Sequence, residues 1–158
     1  MAALAAALLL AGCHGGQGGA PGLSAAERAA GLVPVGIETQ NGVRWFKVEL
    51  ADTVPEQAQG LMYRTDLRQD GGMLFRPYPP EGGGPREASF WMANTPSSLD
   101  ILFIRADDRI ASIAEQTVPL SETPIESGEP VAAVLEVPAG RVAALGIRPG
   151  DRVILPPR

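Results

Sequence analysis

The sequence predicts a mainly β fold, a compact antiparallel sandwich or partly closed barrel with one or two short helices, with α+β as the neighbouring class. Three observations lead there. Runs of strand composition recur between turn residues. Helical patterns are brief and are cut by Gly or Pro. From Val35 to Leu155 lie about 120 residues, the length of one domain with room for a real core.

Trp45 to Leu50 alternates as a half-buried strand does. Asp52 or Thr53 then caps a helix, with Pro55 in its first turn and Glu56 following, that runs to about Met62. Gly71 and Gly72 turn the chain into the short apolar run Met73 to Phe75. Pro77, Pro79, Pro80, Gly82, Gly83, Gly84 and Pro85 force an irregular loop, read as a connector in preference to a lid. Ala88 to Ala93, Leu99 to Arg105 and Arg109 to Gln116 have strand composition, and Asp107, Asp108 and Arg109 suit a tight hairpin although the favoured Gly is absent. Val131 to Val137 is a further strand. Ala139 to Leu145 forms a short helix closed by Gly146, and Pro149, Gly150 and Asp151 turn the chain into a last strand, Arg152 to Leu155.

Ahead of the domain, the apolar run Ala2 to Leu10 leads into Leu10, Ala11, Gly12 and Cys13, which matches the lipobox of bacterial lipoproteins. Residues 1–12 are expected to be a signal peptide without the usual basic start, and Cys13 the lipidated residue. Residues 13–34 then read as a flexible tether, rich in Gly15, Gly16, Gly18, Gly19 and Gly22, in which Ser24 and Glu27 could cap one or two helical turns as far as Ala30. Residues 35–158 are the single β-rich domain. No later stretch approaches the ~18 apolar residues of a membrane span, so the lipid is the expected contact with the membrane. His14, in place of Asp after the cysteine, favours the outer membrane. The expected location is therefore the cell envelope, on its periplasmic face.

The net charge of −5 argues against nucleic acid as a partner, because phosphates attract Lys and Arg clusters and none is present. The one cysteine and the one histidine are Cys13 and His14. The domain accordingly has no disulfide and no imidazole for a Ser-His triad or for typical zinc sites. Met62, Met73 and Met92 read as core fillers in preference to copper ligands. Asp107 and Asp108 lack the spaced acceptors of a calcium loop. No metal or cofactor is expected.

Recognition chemistry must then come from arginine, carboxylates, amide and indole. Strand alternation puts Phe90 and Met92 on one face and Trp91 and Ala93 on the other. Trp91 beside Asn94, Thr95 and Asp100 would wall a pocket for a small ligand or sugar ring. The plainer alternative, given more weight, has Trp91 in the core while Asn94 and Asp100 fix a loop. Arg64 either holds a ligand carboxylate or pairs internally with Asp100 or Glu136. Glu136 needs a partner if it faces inward, and none if alternation turns it outward. Asp100 with Glu136 as general acid and base, as in glycoside hydrolysis, is the enzymatic route left open.

The blocks Gly60-Leu61-Met62-Tyr63-Arg64, Gly72-Met73-Leu74-Phe75 and Phe90-Trp91-Met92-Ala93-Asn94-Thr95 occur in this order. Leu99, Asp100, Ile101 and Phe103 follow, and Val134 to Val137, Gly140, Gly146, Ile147, Gly150 and Asp151 close the series. Together they resemble the signature of the bacterial and archaeal family called domain of unknown function 192, over Lys47 to Ile154. The resemblance implies a largely β fold, often exported, with no established enzymatic activity. Ala93 stands where that family commonly has Lys, so any contact which that lysine makes with an anionic ligand in relatives is lost here, and the Pro and Gly loop before Phe90 looks longer than usual. The expected function is a lipid-anchored periplasmic binding or accessory module whose partner is a small molecule or an envelope protein. The alternatives are the Asp100 and Glu136 hydrolase, aided by Arg64, and a structural envelope protein.

Overall fold

A computed structural model describes residues 20–157. The signal segment 1–12, Cys13 and His14 lie outside the described residues. Ser24 and Glu27 form the expected capping box on α1 (Ala25–Ala29). A five-residue helix has little stability of its own. Glu27 also accepts a hydrogen bond from Lys47 Nζ at 2.8 Å, which ties the helix to β2 (Gly42–Ala51). The lysine, with the Ser24 donors, holds the Glu27 carboxyl far below the usual carboxylate range, at about 2.

β1 (Val33–Thr39) starts ahead of Val35 and forms a hairpin with β2. Gly36 makes room for the Trp45 indole, since a Cβ there would come within 2.9 Å of the ring. α2 (Val54–Gln59) has the expected Thr53 cap, with Glu56 completing the box and Pro in its first turn. It stops at Gly60 (φ 50°) short of Met62. β3 (Met73–Phe75) pairs with β2 in parallel, because α2 and the loop after it carry the chain back along the barrel before it re-enters the sheet. The sheet is thus mixed, where a wholly antiparallel one was expected.

β4 (Arg86–Phe90) ends before Trp91. β5 (Leu99–Ile104) and β6 (Ile110–Ala114) form the expected hairpin, with Asp108 at φ 61° in the left-handed region that Gly would occupy. The single strand expected over Val131 to Val137 divides at Ala132 into β7 (Ile125–Val131) and β8 (Ala133–Pro138). There the Ala132 amide donates to the Ile104 carbonyl at 2.8 Å. Most of β7 has no counterpart among the expected strands, because Gly128 and Pro130 read as breakers; β4 and β7 form a two-stranded sheet with free edges, where proline is tolerated. α3 (Arg141–Leu145) closes on Gly146 (φ 69°) as expected, and β9 (Arg152–Ile154) follows. Among the described residues there are three short helices, α1 where the tether was expected to turn and α2 and α3 within the β-rich domain.

Seven strands run in the order β6-β5-β8-β3-β2-β1-β9. The ends of this sheet meet through an Arg109–Arg152 bridge, with the Ile110 amide on the Asp151 carbonyl at 3.0 Å and the Val153 amide on the Asp108 carbonyl at 2.7 Å. The result is a nearly closed barrel. Register then sorts the side chains. Leu74, Leu135 and Leu102 stand in one row and join Val35, Ile37 and Phe46 in the barrel core. The rows on either side, Phe75-Val134-Phe103 and Met73-Glu136-Ile101, face outward under the β4–β7 sheet. Phe90 covers that second core edge-on, with ring centroids 5.1 Å from Phe75 and 5.9 Å from Phe103.

Candidate ligand-binding site

The outward row leaves Glu136 among apolar neighbours. β8 is buried along its whole length, and the Glu136 side chain is 4% exposed. Gly72 presses against it from the adjoining strand entry; a Cβ on Gly72 (φ 146°) would lie 2.0 Å from the Glu136 carbonyl oxygen. Among the described residues the Glu136 carboxyl has no hydrogen-bond or ion-pair partner. Desolvation alone raises its pKa to about 8, so it is mostly neutral at pH 7.

Glu136 lies at the floor of a cleft of about 400 Å³ bounded by α2, the turn to Met62, the Tyr78–Glu81 loop and the end of β4. Phe75, Tyr78, Phe90 and Trp91 supply aromatic wall, and Gln57, Ser89 and Thr95 supply polar groups. α2 orients Gln57 so that Nε2 donates to the Ala51 carbonyl at 2.9 Å and the Pro77 carbonyl at 2.7 Å. Its Oε1 is buried without a partner. The Ser89 hydroxyl donates to Glu126 at 2.8 Å, and the Thr95 hydroxyl to the Ala93 carbonyl at 3.2 Å.

The loops at the mouth are stiff. Tyr63, Asn94, Gln116 and Leu120 all have left-handed backbones, with φ between 50° and 64°. Backbone hydrogen bonds hold them: Tyr63 N–H to the Asn94 carbonyl at 2.8 Å, Leu120 N–H to the Thr95 carbonyl at 3.1 Å and Met92 N–H to the Ser121 carbonyl at 2.9 Å. Each such non-glycine residue stores of order 1 kcal/mol or more, which the surrounding structure must offset.

Of the residues singled out in the sequence, Trp91, Thr95 and Glu136 line the cleft. Trp91 is 55% exposed at its rim, while Met92 takes the buried place; the core-filling reading of Trp91 fails because β4 ends one residue earlier. Asn94 does not line the cleft and supports its wall, its carbonyl bonded to Tyr63 and its Nδ2 3.9 Å from Met62 Sδ. Asp100 is buried on the opposite face of the sheet, in register with Val137 of the barrel core. Its two oxygens accept the amides of Gln116 at 2.8 Å and Val142 at 2.9 Å, fixing the loop after β6 and the start of α3. Glu136 projects from the other face, so the two carboxyls expected as acid and base do not converge. Arg64 pairs with Glu49 at 2.9 Å and Asp66 at 3.3 Å, not with Asp100 or Glu136, because its loop lies beside β2. Glu49 raises the Arg64 pKa further, mainly through that hydrogen bond.

Phe90, Gln57 and Tyr78 complete the site, the last two without having been marked by the sequence. Gln57 reads as an ordinary exposed-face residue of a short helix, and Tyr78 as one residue of a proline-rich connector. Phe90 carried a signal through its pairing with Met92 on one face, and it is indeed the lid of the outer core.

A family model described as an uncharacterized ACR, domain of unknown function 192, matches residues 36–155. A crystal structure of a putative transcription regulator from Sinorhizobium meliloti 1021 is 45% identical, with TM-score 0.70 over 77% of this chain and 91% of that one. A crystal structure of a protein of unknown function from Novosphingobium aromaticivorans DSM 12444 is 41% identical, with TM-score 0.73 over 85% of this chain and all of the other (100%). No curated protein matches the chain.

Proposed function

Because this chain belongs to the domain of unknown function 192 family, whose fold is here a barrel with an outer cleft, we propose that it is a binding module of the cell envelope, held by a lipid on Cys13, that takes a small ligand in the cleft beside Trp91. One observation carries the reading. An unpartnered buried carboxyl stands at the floor of a cleft of about 400 Å³ with an exposed tryptophan at its rim. Keeping a carboxyl there costs stability unless something binds it, and aromatic walls with a few fixed polar groups are the usual make-up of a ligand site.

The hydrolase reading loses its acid–base pair, since Asp100 is engaged on the far face. A transcription regulator, as the Sinorhizobium relative is described, would fit poorly here if it worked by binding nucleic acid, since this chain has a net charge of −5. The test is native mass spectrometry of the full-length protein purified from its own cells. A bound small molecule that Trp91→Ala and Glu136→Ala release, with the melting temperature of Trp91→Ala unchanged, supports the module. Protein that carries no adduct, and whose Trp91 fluorescence responds to no member of a metabolite panel, overturns it. Anchoring is tested separately: Cys13→Ser should move the protein from the membrane to the soluble fraction, and continued membrane retention would sink that part.

A further inference from the structure

Gln57, Ser89 and Thr95, three polar residues of the cleft, share one property. Their hydrogens are engaged elsewhere. Both hydrogens of Gln57 Nε2 go to backbone carbonyls, and the Ser89 and Thr95 hydroxyls donate to Glu126 and Ala93. What they leave is acceptor capacity: hydroxyl lone pairs beside the Glu136 carboxyl of the lining, with Gln57 Oε1 buried behind them without a partner. The side-chain donors that remain in the lining are the amide of the exposed Gln59, the Trp91 indole at the rim and the Tyr78 hydroxyl. Such a lining suits a ligand that donates.

Charge points the same way. No Lys, Arg or His lines the cleft, whereas Glu136 and Glu81 do. Glu81 pairs at the mouth with Arg86 at 3.5 Å, and Arg86 also lies 5.9 Å from the Tyr78 ring centre. Of the elements packed against Glu136, β3 presents Met73 and β5 presents Ile101, neither of them ionisable. One strand further, Glu49 of β2 is neutralised by Arg64. A carboxylate ligand would meet no free guanidinium here and would face two acids. A cation would gain a counter-ion and the faces of aromatic rings.

We propose that the cleft binds a small primary ammonium ion, with the Glu136 carboxylate as counter-ion. This rests on the binding reading above and names the class of its ligand. Binding converts neutral Glu136 to the carboxylate: the ammonium keeps its three hydrogens, the Glu136 proton passes to solvent, and no bond to carbon changes. The ligand therefore competes with a proton. Since Glu136 titrates near 8 in the free protein, affinity should rise with pH below that value and level off above it.

The experiment is calorimetric titration of the full-length protein with n-butylammonium chloride at pH 6, 7, 8 and 9, each in two buffers of different ionisation enthalpy. The expected result is affinity rising by about tenfold between pH 6 and 7, close to one proton released at pH 6, and none at pH 9. The neutral isostere n-butanol should bind at least about tenfold more weakly at pH 8, and Glu136→Gln should cost butylammonium a similar factor. A flat pH profile, no proton release, or equal binding of butanol overturns the ammonium class. The pH slope and proton count come from the native chain, so they decide even if Glu136→Gln fails to fold. If neutral sugars or alcohols change Trp91 emission while butylammonium does not, the ammonium proposal falls and the binding module stands. If no probe of either kind acts, both fall.

Discussion

Glu136 is the residue whose chemistry departs furthest from its sequence neighbourhood. Its folded pKa, near 8, lies above the value of about 4.5 in an unfolded chain, so the native state binds the extra proton between those two limits. Stability from this group is complete below about pH 4.5 and is lost as pH rises through 8. Urea unfolding of the native chain should show a decline across that window of up to several kcal/mol, and Glu136→Gln should flatten it and be the more stable protein at pH 9. Asp100 is buried as well, but each of its carboxylate oxygens accepts a backbone amide. Asp100→Asn offers one amide a donor instead of an acceptor and should lower stability by about 2 kcal/mol. Trp91→Ala, on a half-exposed side chain, should cost under about 1 kcal/mol in the same assay. The sequence could mark all three positions but not their roles, since the facing of Asp100 and Glu136 depends on where β5 and β8 fall in register.

Among the elements, those with local signals were legible and those held by partners were not. The capping boxes of α1 and α2, the Gly146 stop of α3 and the Asp107-Asp108 hairpin rest on residues a few positions apart. β7 contains Gly128 and Pro130 and exists because β4 lies beside it. The division at Ala132 likewise depends on the distant Ile104 carbonyl. The loop after β6 gives a sharp test of local strain. Leu120 is 61% exposed and left-handed, so its side chain contributes little packing while its backbone pays a steric cost. Leu120→Gly should leave the fold intact and raise stability by a few tenths to about 1 kcal/mol in urea denaturation. A loss of stability would instead mean that the exposed leucine is seated against the mouth of the cleft.

At the scale of the molecule, a barrel and a two-stranded cover sandwich the outer core, and the cleft opens where the cover ends at Trp91. The class of fold followed from composition and turn spacing. A partly closed barrel was one of its two expected forms, but which strands close it was not legible, because β9 meets β1 and the β5–β6 hairpin through backbone bonds that leave no pattern in the residues. Val153 sits at that seam, 1% exposed in the barrel core. Val153→Asp should cost about 3 kcal/mol or more and speed amide exchange in β1 and in the β5–β6 loop together. Faster exchange confined to β9 would show that the barrel does not need its seam.

The seam also sets the order in which the barrel can be completed when the chain arrives N-terminus first in the compartment where it folds. β1 arrives early, yet its outer edge meets its partner, Gly36 to Glu38 against Arg152 to Ile154, only after more than a hundred further residues. Throughout that interval a strand bearing Val35 and Ile37 offers unpaired amides and carbonyls to any passing chain. The chain is therefore most vulnerable to aggregation just before β9 arrives, and a chaperone of that compartment that shields β1 would guard the step on which closure depends.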